Sequence, residues 1–104
     1  MQSFNQDSYG KILYVNFGED VSTATAYELE IEPQSGDVKT ATPTLGTSNV
    51  VVGDETFNAN EFVKYTIIDS FFDQYVGKWR VKGKATMSST SKIVSNYIDI
   101  RIMP

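Results

Sequence analysis

The chain contains no cysteine and no histidine. The first absence excludes disulfides and thiolate metal sites. The second removes the commonest general base and the commonest transition-metal ligand. No run of 18 apolar residues occurs, so no membrane-spanning helix is expected. The opening MQSFNQDSYG has neither the basic flank nor the apolar stretch of a signal peptide. There is no G-x-S-x-G elbow, no glycine-rich phosphate loop, no internal repeat and no low-complexity segment. These gaps point away from an enzyme, and no catalytic residue, cofactor or metal is expected.

What is present is the composition of a folded β-domain. The chain has 104 residues, of which 40% are apolar and 12% aromatic, enough to build one core without staples. Tyr, Phe, Val, Ile and Thr recur, the side chains that suit a pleated sheet. The clearest pattern is GKWRVKGKATMSSTSKIVSNYIDIRI, residues 77–102. Trp79, Val81, Ala85 and Met87 share one parity, and Lys78, Arg80, Lys82 and Lys84 share the other. A strand has a side-chain period of two, so the apolar set faces a core and the basic set faces water. Ile98, Ile100 and Ile102 alternate in the same way with Tyr97, Asp99 and Arg101. The polar Ser88-Ser89-Thr90-Ser91 between the runs reads as a turn, and the whole as an antiparallel hairpin.

Upstream, residues 1–10 read as a flexible arm and 11–104 as a single domain. Lys11 to Phe17 is a strand with apolar residues on both faces, hence central or covered. Thr25 to Glu32 alternates Tyr27, Leu29 and Ile31 against Glu28, Glu30 and Glu32. A helix would scatter those three glutamates, so strand is the better reading despite favourable helix propensities. Pro33 ends it, and residues 34–37 turn the chain. Val38 to Thr42 reads as a short edge strand, Val50 to Val52 as a third or fourth strand, and Gly53-Asp54 as a stop. Residues 55–61 read as loop, with Phe57 packed. Phe62 to Ile68 is a strand, with Phe62, Thr66 and Ile68 on one face and Val63, Tyr65 and Ile67 on the other. Asp69 to Tyr75 reads as one short helical turn capped by Asp69 or Ser70. About seven short strands with turn signals between them predict an antiparallel β-sandwich.

The net charge of −4 is unevenly spread: residues 1–76 carry 3 basic and 12 acidic groups, residues 77–104 carry 6 and 1. Lys78, Arg80, Lys82 and Lys84 form a candidate partner-binding stripe, weighed against a solvated strand face. Glu28, Glu30 and Glu32 form a candidate acidic stripe. If the two strands are neighbours the rows neutralise each other. If they lie in opposite sheets the domain has one acidic and one basic flank, and copies associate in a salt-sensitive way. Asp69 with Asp73, and Asp54 with Glu55, fall short of a hard-cation cage. Nucleic acid is a poor fit, because only Tyr97 is an outward aromatic beside the cations and the rest of the chain is acidic.

Three pieces carry a family resemblance. Val21-Ser22-Thr23-Ala24-Thr25 leads into Glu28-Leu29-Glu30-Ile31; Pro33-Gln34-Ser35-Gly36 makes a turn; and Gly77-Lys78-Trp79-Arg80-Val81 runs through Val94-Ser95-Asn96 to Ile98-Asp99-Ile100-Arg101-Ile102. Together they resemble the immunoglobulin-like domains of tailed-bacteriophage structural proteins, and are similar to the N-terminal domain family of the baseplate upper protein. The resemblance implies an immunoglobulin-like sandwich. It further implies a virion structural role in tail, neck, baseplate or fibre attachment, with other virion proteins as partners. Homo-oligomers in the particle and synthesis in the host cytoplasm belong to the same expectation. The competing expectation is a carbohydrate- or surface-binding module, which needs exposed Tyr and Trp; Trp79 is expected in the core.

Overall fold

The structure, a computed structural model, describes residues 2–34, 36–68, 71–72 and 76–104. Every regular element among them is a strand. In chain order these are β1 (Gln2–Asn5), β2 (Ile12–Asn16), β3 (Ala26–Pro33), β4 (Lys39–Ala41), β5 (Thr44–Leu45), β6 (Val50–Val52), β7 (Glu55–Phe57), β8 (Phe62–Thr66), β9 (Gly77–Ser88), β10 (Ser91–Val94) and β11 (Ile98–Met103). The larger sheet runs β1-β11-β9-β3-β4, with β10 also on β9; the others are β2-β8-β5 and the pair β6-β7.

The larger sheet is built on β9, whose alternation puts Trp79, Val81, Gly83 and Ala85 inside. One edge of β9 takes β3 from Ala26 to Pro33, antiparallel. The other edge is divided: β11 lies along Gly77–Val81 and β10 along Lys84–Ser88. At the break, Ser95 donates its N–H to the Gly83 carbonyl at 2.9 Å, and its hydroxyl accepts the Gly83 N–H at 2.7 Å. The buried backbone polar groups there stay paired.

Leu13, Val15 and Val63 of the β2-β8-β5 sheet, with Ile67 just past β8, meet Leu29, Ile31, Trp79, Val81, Ile100 and Ile102 of the larger sheet in one core. Phe72 fills its end, edge-on to Trp79 at 5.3 Å between centroids. Phe62 is buried on the opposite face of its strand, where the β6-β7 hairpin folds over it. There Tyr14, Phe57 and Phe62 pack with centroids 5.5–6.0 Å apart. Thus β2 is apolar on both faces because both are packed against, although it is an edge strand of its sheet and Ile12 at its start stays exposed. Tyr27 fixes the 17–25 loop by donating its hydroxyl to the Val21 carbonyl at 2.6 Å.

Two expectations are corrected. Gln2–Asn5 is not part of a flexible arm: it pairs in parallel with β11, Phe4 opposite Ile102. The cause is Phe4, whose ring is 3% exposed and packs 5.7 Å from that of Phe72. Burying one such ring, together with the ladder pairing of Gln2–Asn5 to β11, offsets the ordering of a few polar neighbours. Residues 55–61 are not all loop, because Glu55–Phe57 pairs with Val50–Val52. The turn between them has Gly53 at φ 64°, the conformation for which a type II′ hairpin reserves its first position to glycine. The helical turn expected at 69–75 lies outside the described residues except for Phe71 and Phe72, both buried; Asp69 and Asp73 lie outside them too.

Candidate functional site

The outward face of the larger sheet carries both charged stripes, and it brings them together. β3 and β9 are neighbours in a register that sets Glu28 opposite Lys84, Glu30 opposite Lys82 and Glu32 opposite Arg80. Glu30 receives Lys84 at 3.0 Å and Lys82 at 3.5 Å; Lys84 also lies 4.0 Å from Glu28; Arg80 meets Glu32 at 3.1 Å. Lys78, at the end of the row, meets Asp99 of β11 at 3.5 Å. The two stripes are therefore one interleaved lattice of cross-strand pairs, the first of the two arrangements the alternation allows.

Tyr97 joins the lattice from the β11 side. The Arg80 guanidinium lies 4.2 Å from its ring centroid and the Lys82 ammonium 4.9 Å, within the range of a cation–π contact. Val94 pairs with Lys84 and is 49% exposed on the same face.

Exposed ion pairs contribute about 0.2–1 kcal/mol each, so the lattice chiefly selects which strands lie side by side. Glu30 is the most engaged member. The hydrogen bond from Lys84 leads in holding its carboxyl below the usual carboxylate range, partial burial opposes, and Lys82 adds to the lowering. A lowered carboxylate contributes stability above its unfolded pKa and loses it as pH falls through the folded value. Glu30→Gln is thus expected to cost about 1 kcal/mol at neutral pH and progressively less through the acid range. Urea unfolding of parent and variant from neutral to acid pH reads this directly. A pH-independent difference would mean that packing, not charge, sets the cost.

A second feature lies between the sheets. A groove of about 550 Å³ is bounded by β1, the outer edge of β2, the β6-β7 turn and β11. The side chain of Gln2 crosses it. Its amide donates to the Tyr14 carbonyl at 2.7 Å, and its oxygen accepts the Tyr14 N–H at 2.9 Å. One carboxamide so satisfies both outward peptide groups of Tyr14 at the strand edge. Alternation could not show this, because it depends on β1 being ordered. Asp54 and Glu55 sit on the groove wall. Among the described residues no set of three or more acidic side chains is grouped to hold a metal ion.

Lys11, Lys39, Lys64, Lys92 and Arg101 form no ion pair among the described residues; Lys39 lies over the Phe71 ring at 5.1 Å. Trp79 is 1% exposed, and among the described residues the exposed aromatics are Tyr9 and Tyr97. No protein-family model, no curated protein and no solved structure matches the chain.

Proposed function

We propose that the chain is an immunoglobulin-like β-sandwich serving as a structural protein of a tailed-bacteriophage virion. In this reading it is an adaptor in tail, neck, baseplate or fibre attachment that acts through protein–protein contacts and performs no catalytic step. The observation that carries the sandwich is the strand order. An immunoglobulin domain sets its second, fifth and fourth strands in one sheet and its third, sixth and seventh in the other. Here β2-β8-β5 follows the first order and β3-β9-β11 the second, with β4 continuing the β3 side and β6-β7 inserted between the fourth and fifth. The resemblance of residues 77–102 to the phage domains falls on β9, β10 and β11 of that arrangement.

A fold hosts many activities, so the adaptor role draws on the surface. Open strand edges at β2 and β10 offer main-chain contacts to a partner, whereas all four cations of the basic stripe are engaged within their own sheet. Mass spectrometry of gradient-purified particles from the phage that encodes the chain is expected to find it as a stoichiometric component. A chain abundant in the infected cell but absent from purified particles would overturn the virion assignment.

A further inference from the structure

Several strands of this molecule have an edge without a main-chain partner among the described residues, and two of these edges, on β2 and β10, are complementary in chemistry. β2 pairs only with β8. The bonds of Lys11 and Phe17 run toward the β8 side, so the peptide groups of Ile12, Tyr14 and Asn16 point the other way, and Ile12 and Tyr14 line the groove. Tyr14 is met there by the Gln2 carboxamide alone. That carboxamide has one donor and one acceptor in the places where the peptide groups of an added strand would put theirs. Beside it, Ile12 is an apolar side chain 38% exposed, and Asp54 and Glu55 have no cationic partner among the described residues. β10 pairs only with β9. It carries Lys92 and Val94 on one face and Ile93 on the other.

We propose that the free edge of β2 accepts β10 of a second copy of this chain, so that copies join head to tail by strand addition. This deepens the adaptor reading above and rests on it. Side-chain parity and charge both favour this occupant. A strand laid along β2 turns one face outward, beside Ile12 and the acidic tip of the β6-β7 hairpin, and the other toward the core side, beside Phe4 and Ile98. β10 presents Lys92 and Val94 to the first surroundings and Ile93 to the second. Gln2 must swing away as the strand enters, and the incoming main chain replaces its two hydrogen bonds. The joint uses different surfaces on the two copies. Each added copy therefore leaves one open β2 edge and one open β10 edge, and the series closes as a ring or continues as a fibre.

Lys92→Glu and the double variant Asp54→Lys/Glu55→Lys test the joint. Both alter exposed positions, and thermal unfolding checks that each variant stays folded. Light scattering over a concentration series is expected to show the parent rising above the mass of one chain, less so at high salt. Each variant alone sets like charges against each other and is expected to associate about 10- to 100-fold more weakly. An equimolar mixture is expected to recover association, because each variant then meets an opposite charge at both edges. A parent that stays monomeric throughout, or variants whose mixture does not recover, overturns strand addition. Either result, with the chain still present in purified particles, leaves the adaptor reading intact; absence from particles removes that reading whatever the solution mass.

Discussion

Trp79→Ala is expected to destabilise the protein by about 3–5 kcal/mol, the range for deleting a large buried aromatic. A domain of this size holds about 5–15 kcal/mol in total, so the variant stands at the margin of folding. Trp79 sits on the strand that supports the larger sheet, opposite Pro33 of β3 and Ile100 of β11. Its indole is 1% exposed and meets Phe72 edge-on at 80° between ring planes. Alanine there leaves a cavity that three strands and the 71–72 segment border, and strand backbones tied into ladders cannot collapse to fill it. Trp79→Phe keeps a ring against Phe72 and is expected to lose markedly less. Urea unfolding must be followed by circular dichroism, because Trp79 is the chain's one tryptophan. A loss below about 1 kcal/mol for the alanine variant would refute this account of the core.

Gly46→Ala is expected to cost at least the 1–3 kcal/mol usual for overpacking. A Cβ built on Gly46 would overlap the outer edge of the Phe62 ring. The backbone cannot retreat easily: the Gly46 N–H donates to the Phe62 carbonyl at 2.9 Å, and the Gly46 carbonyl accepts the Asn60 N–H at 2.8 Å. The ring is hemmed in too, with Phe57 at 5.5 Å and Tyr14 at 6.0 Å between centroids. The conflict is therefore between two named groups, which a double-mutant cycle isolates. Phe62→Leu alone is expected to destabilise, and in the Gly46→Ala background to restore part of the loss. Strictly additive costs would show that the methyl group meets something other than the ring.

The parts of this architecture that can be read from the chain are those where one strand face is buried and the other wet. β3 and β9 alternate without a break, so their core residues and both charged rows follow from period two alone. That the rows meet does not follow. Glu28 and Lys84 are joined by a long-range pairing, and opposite charge permits it without choosing it over opposite sheets. β1 escaped because its signal is a single phenylalanine among polar residues. β6 and β7 escaped because strands of three residues are too short for a period to register. The break at Ser95 is equally hidden, since a serine between Val94 and Asn96 reads as loop until its bonds to Gly83 are seen. The groove is one step further removed, because it exists only once β1 and the β6-β7 hairpin have taken their places.

The glutamate row of β3 also bears on the time before the sheet exists. Some fifty residues separate β3 from its principal partner, and pairings so distant in sequence form late. Until β9 is available, β3 is an unpaired strand with Tyr27, Leu29 and Ile31 open to other nascent chains, the usual starting point for aggregation. Two copies of β3 cannot pair in register without stacking carboxylate against carboxylate, whereas β9 offers a cation at each of those positions. The same three glutamates that count for little in the finished protein thus act as a waiting signal, turning away the wrong strand until the right one arrives.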